Sequence, residues 1–63
     1  SITVKNINSG GNTALVQCNI YQNIELLNHN IDTGGYESLP ITGHAATWIW
    51  DGSTWRIISY FTG

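Results

Sequence analysis

One β-hairpin signal dominates the C-terminal third of the chain. Asp51-Gly52 stands between two apolar segments, "AATWIW" at 45–50 and "WRIISYF" at 55–61. Asp-Gly between such segments is among the strongest short signals for a hairpin. Two registers remain open, a two-residue turn on Asp51-Gly52 or a four-residue loop through Thr54. They differ by an even number of residues, so both place the same side chains on the same face.

Both faces of this predicted hairpin are apolar. One face is predicted to carry Ala46, Trp48, Trp50, Trp55, Ile57 and Ser59. The opposite face is predicted to carry Thr47, Ile49, Arg56, Ile58 and Tyr60. A hairpin that is apolar on both sides must be covered on both sides, by the rest of a small chain or by another copy of it. We therefore expect an oligomer.

Two further strands are predicted in the first third of the chain. Residues 2–7, "ITVKNI", are rich in β-branched types and end at the turn-forming "NSGGN". From Ala14, "ALVQCNIY" alternates between two faces. The apolar face is predicted to carry Ala14, Val16, Cys18 and Ile20, and the other face Leu15, Gln17, Asn19 and Tyr21. Because Cys18 falls on the apolar face, a small buried hydrophobe is favoured over a reactive thiol.

The middle of the chain gives a weaker pattern. In "NIELLNHNI" at 23–31, Ile24, Leu27 and Ile31 have helical spacing, whereas Ile24 and Leu26 fit a short strand. We interpret the segment as a short strand. "DTGGYES" at 32–38 predicts a loop. The whole pattern predicts one all-β domain over residues 1–63: a small antiparallel sheet or sandwich of short strands with a C-terminal β-hairpin.

The size of the chain also favours self-association. With 63 residues, the apolar surface buried on folding is worth about as much as the conformational entropy that is lost, so a monomer is marginal. The lone Cys18 excludes an intrachain disulfide, and Cys18, His29 and His44 lack the paired spacing of a zinc site. A metal held by His29 or His44 on a threefold axis is not favoured. We predict no cofactor and no metal.

The charge balance argues against nucleic-acid binding. Two basic residues stand against four acidic ones, for a net charge of -2. Nucleic-acid affinity depends on several cations that neutralise phosphates, and two are too few. The sequence also shows neither a signal peptide nor an uninterrupted apolar run of about 18 residues. We therefore expect neither a nucleic-acid nor a membrane partner.

Residues 39–43, "LPITG", match the Leu-Pro-x-Thr-Gly signal at which sortases cut surface proteins of Gram-positive bacteria. A working signal also needs a following apolar span and a basic tail. The segment after Gly43 instead contains Asp51, Gly52 and Arg56, alternates as a hairpin does, and ends without a basic residue. Because Pro40 fixes its own φ and Gly43 permits a tight exit, the pentapeptide is interpreted as a turn.

Aromatic residues are the main candidates for a binding site. Tryptophan offers a flat apolar face and a polar N–H, so the three tryptophans could form a platform for a sugar ring. The alternative, that they form the core of the hairpin, is favoured because they share one predicted face with Ile57 and Ala46. The candidate glycan or interface contacts are Trp48, Trp50, Trp55 and Tyr60.

No catalytic constellation is predicted. Glycoside hydrolysis normally requires two carboxyl groups across the scissile bond, but all four carboxylates lie in or beside turn or exposed patterns. Asp51 is interpreted as a turn former that tolerates positive φ. Ser53 or Cys18 with His29 or His44 shows no spacing typical of a nucleophile and its base. We therefore predict that the chain is not an enzyme.

The C-terminal segment resembles a pattern found at the C-terminal ends of bacteriophage tail fibres and tailspikes. The resemblance lies in Leu39-Pro40, then "GHAAT" at 43–47, then "WIWDGSTWRIIS" at 48–59. "ITVKNINSGGNTALV" at 2–16 is similar to the strand, loop and strand that open such modules. The Asn-rich middle, including residues 23–31, departs from the pattern.

The resemblance implies a β-structured module that assembles as a homotrimer at the end of a fibre in the virion, after synthesis in the cytoplasm of the bacterial host. The chain would be the C-terminal piece of a larger fibre or tailspike chain, with host-surface polysaccharide as a candidate contact and no catalytic residue. In this setting "LPITG" is the loop that leads into the terminal hairpin. The alternative is a monomeric carbohydrate-binding module that uses exposed tryptophans as an aromatic platform.

Overall fold

The computed structural model describes all residues from Ser1 to Gly63 and is all-β, as predicted. The seven strands are β1 Ile2–Lys5, β2 Ala14–Gln17, β3 Asn23–Glu25, β4 Ile31–Thr33, β5 Tyr36–Leu39, β6 Ala45–Trp50 and β7 Thr54–Phe61. A five-stranded sheet has the order β1-β6-β7-β3-β4, and β2 pairs with β5 in a second sheet. No helix has the length and apolar character that crossing a bilayer requires.

The prediction of a purely antiparallel sheet is wrong at one pairing. β3 runs parallel to β7, with Asn23 beside Thr54 and Ile24 beside Trp55, whereas the other pairings are antiparallel. β3 pairs with the edge of β7 that does not pair with β6. A parallel pair is possible because a long segment of the chain, rather than a tight turn, connects these two strands.

The predicted C-terminal hairpin is confirmed, in its four-residue register. Trp50 pairs with Trp55, and the Asp51 N–H donates to the Thr54 carbonyl at 3.0 Å. A β-bulge then shifts the register, because Trp48 pairs with Ile57 while Thr47 pairs with Ser59. The extra residue in β7 is therefore Ile58.

The bulge corrects the predicted faces of the hairpin. The sequence predicts Ser59 on the same face as Ala46, and Tyr60 on the same face as Thr47. The structure instead pairs Ser59 with Thr47 and Tyr60 with Ala46. One extra residue exchanges the two faces of every position beyond it, because side chains alternate along a strand.

The strands before the hairpin are shorter than predicted. β1 ends at Lys5 rather than Ile7, and β2 ends at Gln17 rather than Tyr21. The alternation of β2 persists to Cys18, which is half-buried, but Ile20 is 66% exposed instead of facing the core. The chain leaves β2 to make a turn in which the Gln22 N–H donates to the Asn19 carbonyl.

The middle of the chain contains more strand than predicted. The short strand expected within residues 23–31 is confirmed as β3. Ile31, the last residue of that segment, begins β4. The loop predicted over residues 32–38 is wrong except at Gly34 and Gly35, because residues 32–33 belong to β4 and residues 36–38 to β5. Its sequence, "YESL", lacks the apolar alternation of a half-buried strand, and pairing with β2 overrides that weak preference.

The glycine pair between β4 and β5 allows a close approach of two chain segments. Gly34 has φ of +61°, and a Cβ there would lie 3.0 Å from the backbone of Ile20. A Cβ on Gly35 would lie 2.3 Å from Cβ of Asp32. The segment after β2 packs against this pair, because the Gly34 N–H donates to the Gln22 carbonyl and the Cys18 N–H to the Gly35 carbonyl.

The core lies between the two sheets and is small. Its buried apolar residues are Ile24, Leu39, Ala46 and Trp48. The indole N–H of Trp48 donates to the Glu25 carbonyl at 2.8 Å, so this ring is both buried and satisfied. Two strands cover one face of a five-stranded sheet, and the opposite face has no second layer.

We call that uncovered side the outer face. Strand alternation and cross-strand pairing place Thr3, Lys5, Thr47, Ile49, Arg56 and Phe61 on it. The hydroxyl groups of Thr3 and Thr47 lie 2.9 Å apart there. The remaining residues are mostly exposed, including Ile49 at 44% and Phe61 at 57%.

Asn6 is the buried polar centre of the fold. Its side chain is fully buried, and Nδ2 donates to the carbonyls of Leu39 at 2.7 Å and Asn12 at 3.0 Å. Its Oδ1 accepts from the N–H of Asn8 at 2.9 Å. Its backbone N–H donates to the His44 carbonyl, at 2.9 Å.

These bonds join three separate segments: the end of β1, the following loop and the turn between β5 and β6. Every polar atom of the Asn6 side chain has a partner, and no buried side-chain N or O atom in the chain lacks one. A buried polar network of this kind is stabilising when complete and costly when broken.

We predict that Asn6→Ala lowers the free energy of unfolding by about 3 kcal/mol, because it leaves the buried Leu39 carbonyl unpaired and removes two partly buried bonds, to the Asn12 carbonyl and the Asn8 N–H. Chemical denaturation followed by tryptophan fluorescence measures this change. The matched control is Asn8→Ala, whose side chain makes only one long exposed bond, of 3.4 Å to the Asn12 carbonyl. Equal effects of the two substitutions would contradict the central role of Asn6.

Candidate functional site

The structure separates the four predicted contact residues into three environments. Trp48 is 2% exposed and belongs to the core. Trp50 is 39% exposed and packs against the half-buried Trp55 at the hairpin end, with ring centroids 5.4 Å apart and planes inclined at 53°. Tyr60 lies at the opposite end of β7. Of these four residues, only Trp50 and Trp55 therefore pack against each other as an accessible pair.

Tyr60 pairs with His44 instead of with the tryptophans. The Tyr60 hydroxyl lies 3.0 Å from His44 Nδ1, and the two rings meet edge to face with centroids 5.8 Å apart. The side chain of Tyr60 is 44% exposed. The bulge at Ile58 produces this pair, because it moves Tyr60 to the position opposite Ala46, next to His44.

The carboxylate of Asp51 builds the hairpin loop on which the aromatic pair depends. Its Oδ1 accepts from the N–H groups of Ser53 at 2.8 Å and Thr54 at 2.7 Å. Its Oδ2 accepts from Arg56 Nε at 2.9 Å. Asp51 is thus the predicted turn former, but the positive φ, of 102°, belongs to Gly52.

Charge and hydrogen bonds both favour the ionised form of Asp51. The Arg56 guanidinium, followed by the N–H groups of Ser53 and Thr54, holds the pKa of the Asp51 carboxyl far below its usual range. The carboxylate therefore keeps the loop closed under conditions in which an ordinary aspartate would be protonated.

Two of the other carboxylates accept hydrogen bonds from backbone N–H groups. Glu25 Oε1 accepts from the Ile57 N–H at 3.1 Å, and Glu37 Oε2 accepts from the Leu27 N–H at 2.7 Å. Glu25 Oε2 also lies 3.5 Å from His29 Nδ1. No three His, Cys, Asp or Glu side chains are grouped so that they could hold a metal ion.

An open cleft lies between the two sheets beside Trp55. It has a volume of about 150 Å³, and its apolar lining comes from Ile2, Val16, Cys18, Ile24, Trp48 and Trp55. We call it the intersheet cleft. The single S–H of Cys18 is shared between the carbonyls of Gln22 and Gly35, each 3.4 Å from Sγ, which fixes the thiol in the wall of the cleft.

Sequence reasoning missed the polar part of this cleft. Its polar lining consists of Gln17, Asn19 and Gln22. Gln17 and Asn19 were placed on the polar face of β2, and nothing in the pattern of residues 14–22 indicates that the chain turns there to bring Gln22 beside Trp55. The contact is nevertheless direct, because Gln22 Oε1 accepts from Trp55 Nε1 at 3.0 Å.

The pentapeptide "LPITG" forms the predicted turn. The His44 N–H donates to the Ile41 carbonyl at 3.1 Å, and Gly43 has φ of 92°. Leu39 is fully buried, the Gly43 N–H donates to the Asn6 carbonyl at 2.8 Å, and the Thr42 hydroxyl donates to the Asn8 carbonyl. Both ends of the motif are therefore fixed in the fold.

Comparisons with protein-family models, with curated protein sequences and with solved structures give no match to this chain.

We predict that the pH dependence of folding changes in Asp51→Asn. The folded-state pKa of Asp51 is lowered, so its stabilising contribution is complete above the unfolded carboxyl pKa of about 4 and is lost as the pH falls below it. Asp51→Asn should be less stable than the original chain at neutral pH and should lose less stability on acidification. Unfolding curves across the acidic range measure both effects.

Arg56→Gln is the matched variant, because it removes the largest cause of the low pKa and leaves the carboxylate in place. NMR titration of the Asp51 side-chain carboxyl carbon should then show a higher pKa than in the original chain. An Asp51 that titrates normally in the original chain would contradict this account.

We predict that an added sortase cuts the folded chain poorly, because Leu39 is buried and the Thr42-Gly43 bond lies in a hydrogen-bonded turn. A peptide covering residues 37–45 is the positive control, and Asn6→Ala should be cut faster because the turn loses its support. Mass spectrometry of the products measures the rates. Cleavage of the folded chain as fast as the peptide would contradict the prediction.

Proposed function

We propose that this chain is a non-catalytic trimerisation and tip module of a bacteriophage tail fibre or tailspike, which stabilises the end of the fibre and contacts host-surface glycans. The family and the number of chains come from the resemblance of residues 39–59. The proposal places the protein in the virion, with other copies of itself and host-cell polysaccharide as partners.

The observation that carries the proposal is the imbalance between buried and exposed apolar groups. Only six of the 63 residues are buried, and four of those six are apolar. Thirteen large hydrophobic side chains remain exposed, on a chain with few charges to keep such surfaces apart. Surface of this kind is typical of a protein that buries it against a partner.

The geometry of the five-stranded sheet supports self-assembly in particular. The outer face has no covering layer, and it carries Ile49 and Phe61 beside the short polar side chains of Thr3 and Thr47. The strands β1 and β4 each leave one side unpaired at the sheet edges. Another copy of the chain can cover the outer face by packing its own outer face against it. It can also pair one of its strands with the free edge of β1 or β4.

A specific observation also favours the second candidate, a monomeric carbohydrate-binding module. Trp50 and Trp55 form an inclined aromatic pair at the hairpin end, and Trp50 is 39% exposed. Aromatic rings held in this way offer flat apolar faces to sugar rings. The two candidates differ in the expected state of assembly.

Fusion to a monomeric carrier protein tests the proposal. We predict that the chain, joined to the C-terminus of the carrier, converts it to a trimer, as measured by analytical ultracentrifugation. Replacing the outer-face pair in Ile49→Thr/Phe61→Thr should shift the fusion towards monomer, while circular dichroism shows that the strands persist. The matched control is Ile7→Thr/Ile41→Thr, which removes exposed isoleucines from loops and should leave the trimer intact.

A fusion that remains monomeric would contradict the assembly function. If its tryptophan fluorescence then responds to glycans, the monomeric carbohydrate-binding module becomes the better account.

A further inference from the structure

The intersheet cleft has the size of a site for a single ring. Its volume is about 150 Å³, and a protein cavity of about that volume, when lined by apolar side chains, is large enough to bind benzene. The cleft differs from such a cavity because it is open to solvent and because Asn19 and Gln22 are among its lining residues. Its dimensions therefore suit a six-membered ring with polar substituents that reach the opening.

The two indole rings of the cleft present apolar surface alone. Trp48 Nε1 donates to the Glu25 carbonyl at 2.8 Å, and Trp55 Nε1 donates to Gln22 Oε1 at 3.0 Å. Both indole N–H groups are therefore occupied within the chain, and the second bond fixes the orientation of the Trp55 ring. Because Trp48 is 2% exposed, a ligand meets mainly the apolar surface of Trp55, which favours a ligand with an apolar face of its own.

The amides of the cleft offer hydrogen-bond donors. Gln22 Oε1 already accepts from Trp55, and Asn19 Oδ1 accepts from the Tyr21 N–H at 3.0 Å. Each amide therefore keeps its NH₂ group for a ligand. The polar groups that match two NH₂ groups are oxygen acceptors, such as hydroxyl and ring oxygens.

The lining is also uncharged. None of the residues that line the cleft is Lys, Arg, His, Asp or Glu. A charged ligand would lose its hydration without gaining an ion pair, so the cleft favours a neutral ligand.

From these four features we infer that the intersheet cleft binds one pyranose ring of a neutral glycan. The apolar C–H face of the sugar lies against Trp55, and its oxygens accept from the NH₂ groups of Asn19 and Gln22. A plain aromatic ring would fill the same volume but leave both amides unused. This inference rests on the glycan contact in the proposed function and names the site and the sugar class for that contact.

NMR titration with methyl glycosides of neutral hexoses and N-acetylhexosamines tests the inference. At least one glycoside should shift the backbone signals of Cys18 and Gln22 and the indole N–H signal of Trp55. Asn19→Asp is the informative variant, because it keeps the oxygen that accepts from Tyr21 and replaces the NH₂ donor. We expect it to weaken binding about tenfold, as the loss of one hydrogen bond predicts.

Asn28→Asp is the matched control. Asn28 Oδ1 accepts from the Asn30 N–H at 2.9 Å, the same local bond that Asn19 makes, in a loop that does not line the cleft. The control should bind as the original chain does. Equal weakening in both variants would show an effect of charge alone and would overturn the assignment of Asn19.

Three further outcomes would overturn the inference: no glycoside shifts the cleft signals, the shifts occur at Trp50 alone, or phenol binds the cleft while the glycosides do not. These outcomes are separate from a failure of the assembly function. If the carrier fusion forms trimers but no glycoside shifts the NMR signals of the cleft, the proposed sugar site is wrong and the trimerisation proposal still holds.

Discussion

The buried side chain of Asn6 is the constraint on which the arrangement of this chain depends. Both of its N–H donors and its carbonyl oxygen bond backbone groups from the loop after β1 and from Leu39 at the end of β5. Its own backbone bonds Gly43 and His44, just before β6. A single residue thereby joins the five-stranded sheet to the two-stranded sheet at the point where the chain crosses between them. Leu39, the most buried apolar residue of the core, is held at that junction.

The size difference between the two sheets determines the surface properties. A two-stranded sheet can cover only part of a five-stranded one, so one face of the larger sheet is left without a layer and the core remains at four buried apolar residues. A core of this size gives little excess over the conformational entropy of 63 residues. Association with further copies removes more apolar surface from water without any change in the fold, which is why assembly is the centre of the proposed function.

Local signals in the sequence predicted the terminal hairpin, its Asp51 turn, the turn within residues 39–43 and the burial of Trp48, because each depends on neighbouring residues or on simple alternation. The same alternation placed Trp50 in the core, and this was wrong, because Trp50 lies at the hairpin end and is 39% exposed. The bulge at Ile58 carries no local signal, and it reversed the predicted sides of Ser59 and Tyr60. β5 was missed because its pairing with β2 is a long-range contact. The network of Asn6 was missed because an asparagine near turns is ordinarily exposed, and only the fold brings Leu39 to it. The intersheet cleft was missed for the same reason, since its lining comes from distant segments.

We propose that the isolated chain covers its exposed apolar surface with copies of itself. Light scattering coupled to size exclusion, applied to the isolated chain across a dilution series, measures this assembly. We expect a mass of three times the 6.9 kDa chain that persists on dilution. A mass of one chain at every concentration, with the tryptophan fluorescence of a folded protein, would contradict it.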